Sequence, residues 1–179
     1  RALDVDLLSV AGHKLYAPKG VGALYVRRGT SLAPFTLGAG HERALRPGTE
    51  NIASIVVLGL ACDIARRDLD HITAHTRGLR DRLHQRLKEV IPALTLHGHP
   101  DARLPNTLNV RFPGVSGDAV LAGAPEIAAS TGSAGHAGHT TASSVILAMG
   151  VPAQDALGAV RLTLGRHTRE EDIELAATA

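Results

Sequence analysis

The His13-Lys14 pair, followed by a Pro18-Lys19-Gly20 turn, is the part of this sequence best suited to covalent chemistry. A lysine amine in water is protonated and inert. In a partly desolvated pocket its pKa falls, and the free amine can form a Schiff base with an aldehyde. Lys14 is therefore the first candidate catalytic residue. The segment is not a Walker phosphate loop, because no glycine precedes Gly12 at the required spacing and no Ser or Thr follows Lys14. His97 with His99, and His136 with His139, have the look of metal-ligand pairs. No cysteine or carboxylate completes either set, so no metal is expected.

These residues need elements to hold them. Gly22 to Arg28 (GALYVRR) alternates and reads as a strand ending at Arg27 and Arg28. Gly38 to Asn51 has glycines, a proline and charges without a period and reads as an ordered loop. Its Arg43 and Arg46 are expected to be structural ion-pair partners. Ile52 to Arg67 is apolar almost all round until Asp63, as a buried helix would be. From Asp70 onward Ile72, Leu79, Leu83, Leu87 and Val90 fall on one helical face, with Arg77, Arg80, Arg82, Arg86 and Lys88 over the rest. This long amphipathic helix is expected to lead out of a first domain, residues 1–80, into a smaller α/β domain, residues 81–179.

The second half alternates secondary structure. Leu108, Val110 and Phe112 interleave with Thr107, Asn109 and Arg111 as in a half-buried strand. Ser116 starts a short helix with Asp118 in its first turn. Glu126 to Ala129 reads as a brief strand, and Ser143 to Met149 as a helix stopped by Gly150. Val160, Leu162 and Leu164 form the inner side of a last strand, with Arg161 and Thr163 on the other. Thr168 with Glu171 reads as a capping box for a final helix. That helix runs to Ala179, which suggests a clipped C-terminus.

Bulk composition is consistent with one core or parts of two: 179 residues, 44% hydrophobic. Lysine plus arginine number 19 against 17 acids, too small an excess for a polyanion-binding stripe, so no nucleic-acid partner is expected. The single cysteine, Cys62, excludes an internal disulfide, and no long apolar span argues for a membrane. A soluble, cytoplasmic protein is the simplest expectation.

The segment VDLLSVAGHKLYAPKGVGALYVRR resembles the cofactor-lysine region of the cysteine desulfurases and selenocysteine lyases, class V aminotransferase-like enzymes of fold-type I that use pyridoxal 5'-phosphate. Three further stretches resemble the same family in the same order: GAGHERALRPGTEN (Gly38 to Asn51), STGSAGHAG (Ser130 to Gly138) and VRLTLGRHTREED (Val160 to Asp172). The resemblance implies that Lys14 carries the cofactor and shuttles the substrate's α-proton. His13 belongs to the phosphate cup or simply packs; Ala11 stands where the family commonly has a further phosphate-binding serine. Thr49 would bind the cofactor phosphate of the other subunit of a homodimer. Arg161 would hold the carboxylate of a small amino-acid substrate, since a planar guanidinium grips it through two parallel hydrogen bonds; a solvent-facing strand arginine is the plainer reading. The fold implied is the C-terminal part of a fold-type I large domain plus a small α/β C-terminal domain.

One residue departs from the family pattern. Where active members carry the cysteine that takes sulfur or selenium from cysteine or selenocysteine, leaving alanine, this chain has Gly135. Glycine has no nucleophile, and the family's segment upstream of the lysine region would supply much of the cofactor cup. The expectation is a desulfurase or selenocysteine lyase-like protein with impaired activity and a possible sulfur or selenium acceptor protein as partner. An aminotransferase or β-lyase that needs no cysteine, and a non-catalytic interaction remnant, are the alternatives.

Overall fold

A computed structural model describes residues 3–132 and 142–179 and divides into two compact units, Arg1–Leu69 and Asp70–Ala179. The sequence placed the boundary between about Asp70 and Pro92, drawn after residue 80. In the helix that spans this region three leucines recur every four residues and face the second unit's core.

In the first unit, β1 (Leu7–Ala11) pairs antiparallel with β2 (Gly22–Val26), Leu7 opposite Val26 and Ala11 opposite Gly22. The sequence reading included β2 but not β1, whose LLSVA stretch lacks strict alternation. A 3₁₀ turn, Gly12–Leu15, follows β1 directly. Arg27, just past β2, ties down the approach to β1 through Asp4 at 2.7 Å and Asp6 at 3.2 Å. Then α1 (Ile52–Arg67) starts where the Asn51 side chain accepts from the Ser54 N–H at 3.2 Å. The helix is where the apolar run placed it, but it is not buried. Only Leu58 and Ala61 are covered, while Ile52, Val56 and Leu60 are exposed. The reason is a shortage of neighbours: α1 packs on Ala17, Leu15 and Val21 in and beside the lysine-bearing turn, and among the described residues of the first unit no further apolar layer covers its other sides.

The second unit closes a core of its own. Its sheet runs in the order β3 (Thr95–Leu96), β4 (Thr107–Arg111), β5 (Ala159–Thr163), all antiparallel. Leu108, Val110 and, just past β5, Leu164 point to one side, where α2 (Leu69–Val90) contributes Leu79, Leu83 and Leu87 and α6 (Glu170–Thr178) contributes Ile173 and Ala177. Each of the larger side chains stabilises the unit by about 1.5–3 kcal/mol through burial. Two positions on α2 correct the sequence reading. Val90 is exposed, beyond the reach of the sheet, and Arg80 is only 4% exposed. Arg80 lies three and four residues from Leu83 and Thr76 and so shares their buried stripe. Its charge is satisfied there: Nη1 donates to the Leu104 carbonyl at 2.8 Å, and Nε and Nη2 donate to Asp81.

Shorter elements complete this unit. α3 (Gly117–Gly123) is capped by Ser116, whose hydroxyl accepts from the Ala119 N–H. α4 (Ser144–Ala148) ends before Gly150, which takes the left-handed conformation at φ 82°. α5 (Ala153–Ala156) leads into β5. No strand forms over residues 126–129. Pro125 has no N–H to give a ladder and the chain turns there, Ile127 donating to Ala124. Among the described residues of this stretch Ser130 bridges to the sheet, at Arg161. The final helix is capped by Asp172, which accepts from the Arg169 N–H at 2.8 Å, and not by Thr168 with Glu171. Thr168 turns back instead to accept from the Gly165 N–H.

Candidate active site

The turn that carries Lys14 is built by close backbone approach. Gly12 is buried and donates to the Val21 carbonyl at 2.9 Å, and a Cβ at this position would stand 2.7 Å from that same oxygen. Only glycine fits without a shift. The chain turns over Gly12 to Leu15, Tyr16 takes the left-handed conformation at φ 64°, and the Ala17 N–H closes on the Gly12 carbonyl. Ala17 then packs against Leu58 and Ala61 of α1, so the helix buttresses the turn from below. His13 and Lys14 are consecutive on it, and both are exposed. The partial desolvation expected for Lys14 is not supplied by the described residues of the first unit, because the apolar contacts of the turn run through Leu15 and Ala17.

Thr49 is exposed in the loop before α1, which contains a second 3₁₀ turn, His41–Ala44. Arg46 organises this loop, though not as the ion-pair partner expected: its Nη1 donates to the carbonyls of Gly48 at 2.7 Å and Pro47 at 3.3 Å. Arg43 stands at φ 59° and is exposed.

Arg161 belongs to the second unit. It lies on β5 opposite Asn109 of β4, on the sheet face turned away from the leucine core. On its other side it exchanges backbone hydrogen bonds with Ser130, at 2.7 and 3.3 Å. Ser130 in turn holds the start of the STGSAGHAG segment, its hydroxyl donating to the Gly132 carbonyl at 2.7 Å, while Thr131 donates to Asp118. Arg161 thus flanks the entry to that segment. Gly135, His136 and His139 lie outside the described residues.

The remaining histidine pair has structural duties. His97 is buried with Nδ1 2.9 Å from Asn109 Oδ1, and His99 Nδ1 accepts from the N–H groups of Asp101 and Ala102. Among the described residues no cluster of three or more His, Cys, Asp or Glu stands ready for a metal ion, and no helix is long and apolar enough to cross a membrane. The His97–Asn109 contact was not legible as such in the sequence. Its only trace is Asn109 on the polar side of an alternating strand.

The model of the aminotransferase class-V family matches residues 1–175. The chain belongs to that family. It is 45% identical over 176 residues to a cysteine desulfurase of Gluconacetobacter diazotrophicus, a match that covers 97% of this chain and 44% of the relative. To the cysteine desulfurase NifS of Azotobacter vinelandii it is 45% identical over 173 residues, 96% of this chain and 43% of that one. Among solved structures it superposes on a NifS-like protein with a TM-score of 0.84 at 35% identity, covering 98% of this chain and 45% of that chain. A NifS-like protein from Rickettsia africae gives 0.87 at 29% identity, covering 99% and 47%. This class-V aminotransferase chain therefore spans less than half the length of these relatives, and it shares their α/β, fold-type I architecture.

Proposed function

We propose that this chain carries the cofactor-lysine and substrate-arginine segments of a pyridoxal phosphate-dependent cysteine desulfurase or selenocysteine lyase-like protein, impaired in sulfur transfer by Gly135. The observation that carries the reading is the 45% identity to a cysteine desulfurase along 97% of the chain. The donor set fits the cofactor chemically. An aldehyde needs a primary amine and a phosphate needs hydrogen-bond donors; Lys14 has the first, His13 and Thr49 the second, and all three are exposed to a ligand. When bound, pyridoxal phosphate supplies an electron sink for the substrate's α-carbon.

The chain's own residues then have separate tasks. Arg161 binds the substrate carboxylate and so fixes which face the α-hydrogen presents. Lys14 removes that proton at its amine nitrogen and returns it. Position 135 is where the family's thiolate would receive the chalcogen, and glycine cannot do so. A selenium substrate loses its leaving atom more readily, so Gly135 harms desulfurase activity more than lyase activity. Cytoplasmic residence, a homodimer joined through the Gly38 to Asn51 loop, and a sulfur or selenium acceptor belong to the same reading.

The test is borohydride reduction of the chain mixed with pyridoxal phosphate, followed by peptide mapping and an alanine assay with cysteine. Cofactor label on Lys14 with alanine formation no faster than free cofactor is the expected result. Label spread over surface lysines would count against Lys14. Rapid alanine formation would refute the impairment.

A further inference from the structure

Across the second unit's sheet, His97, Asn109, Arg161 and Ser130 form a single row on the face opposite the core. The register fixes this. The Phe112 N–H donates to Gly158 and the Leu164 N–H to Asn106, so Val110 with Val160 and Leu108 with Leu162 are the hydrogen-bonded pairs between β4 and β5. Asn109 and Arg161 are then a non-hydrogen-bonded pair, the kind whose side chains approach most closely. On the β3 side, the His97 N–H donates to the Asn109 carbonyl at 2.9 Å and extends the ladder by one residue.

The chemistry of this row is directional. His97 Nδ1 stands 2.9 Å from Asn109 Oδ1, and an amide oxygen in that contact accepts the imidazole N–H. With its oxygen engaged by His97 on the β3 side, the carboxamide has its NH2 left for another partner. No described residue accepts from that NH2, and none accepts from the Arg161 guanidinium. Two sets of unengaged donors cannot serve each other. Together they ask for an acceptor with two oxygens.

We propose that Asn109 is a second carboxylate-binding residue beside Arg161, with His97 as the positioning residue that fixes which end of its amide faces the substrate. The proposal rests on the reading of Arg161 as the substrate-carboxylate site and adds two residues to it. One carboxylate oxygen sits on the guanidinium fork and the other takes the Asn109 N–H. His97, buried and without contact to substrate, acts only through Asn109.

The test is an NMR titration of the nitrogen-15-labelled chain with L-alanine, against L-alaninamide, which keeps the amine and lacks the carboxylate. L-alanine should shift the Asn109 NH2 and the Arg161 Nε–H along one saturation curve, and L-alaninamide neither. Asn109→Leu should weaken binding about tenfold, as expected for one charge-assisted hydrogen bond. Asn109→Asp should abolish it, because its carboxylate occupies Arg161. His97→Phe should weaken binding several-fold, and His97→Gln, which keeps a donor, should restore it. The unmutated chain reports by itself, so a variant that fails to fold does not remove the test. Shifts at Arg161 without Asn109, or an unchanged Kd in Asn109→Leu, overturn the proposal and leave the Arg161 site standing. Binding that survives Arg161→Leu, or no shift at either residue, overturns both.

Discussion

Leu108 and Leu24 occupy comparable places, each near the middle of a five-residue antiparallel strand. Leu108 has no exposed surface and Leu24 is 52% exposed. The difference lies in what covers each sheet. In the second unit α2 and α6 lay apolar stripes over β4 and β5, so alternation in the strand becomes burial. In the first unit α1 reaches only the lysine turn, and Leu7, Leu8, Leu24 and Tyr25 stay outside along with one side of the helix. The unit that presents the candidate substrate arginine is self-sufficient. The unit that presents the candidate cofactor lysine is held by local geometry, and a run of exposed large apolar groups of this kind marks a surface made to be covered.

The largest effect should separate the two units directly. Leu108→Ala should destabilise the second unit by about 2–5 kcal/mol, whereas Leu24→Ala should change stability by less than about 0.5 kcal/mol. Urea unfolding followed by NMR signals from each unit checks both. Equal losses would mean that the first unit has a core after all.

A smaller effect sharpens the claim that the first unit depends on backbone fit. Gly12→Ala would press a Cβ to 2.7 Å from the Val21 carbonyl, and should cost about 1–3 kcal/mol with loss of cofactor labelling at Lys14. Gly59→Ala, in α1 where a Cβ meets nothing within 4 Å, should stabilise instead by about 0.5–1 kcal/mol. Thermal unfolding of the two variants decides it; a harmless Gly12→Ala would release the turn from the constraint argued for it.

The smallest effect concerns pH and only the second unit. Burial, aided by Arg103 and Lys88 nearby, pushes the His84 imidazole below the ordinary histidine range. A depressed histidine leaves the unfolded state binding more protons, so its contribution is present above about pH 6.5 and is lost as pH falls through the lower folded value. His84→Gln should flatten that acid-side loss by a few degrees of Tm at most. Matching melting curves for the two proteins below pH 6.5 would show that His84 is not part of it.

How much of this could be read beforehand depended on the range of the interaction. Ile52 to Arg67 was legible as a helix because its apolar run acts within a few positions, whereas its expected burial depended on neighbours it does not have. The α3 cap by Ser116, the stop at Gly150 and the inward set Leu108, Val110 and Leu164 were legible for the same reason. The expected strand at Glu126 to Ala129 was not formed because a strand exists only if a neighbour completes its ladder. The Thr168 cap lost to Asp172 because two carboxylates and a hydroxyl competed within one turn.

The candidate site divides along the same line. His13, Lys14, Thr49 and Arg161 are expected site residues because short stretches around them resemble a family's motifs, and a motif is a local object. That Arg161 stands opposite Asn109, that Asn109 engages His97, and that Lys14 is exposed on a turn closed by Gly12 depend on strand register and on which apolar faces find a partner. Those are contacts between residues far apart in sequence, and only the folded chain decides them.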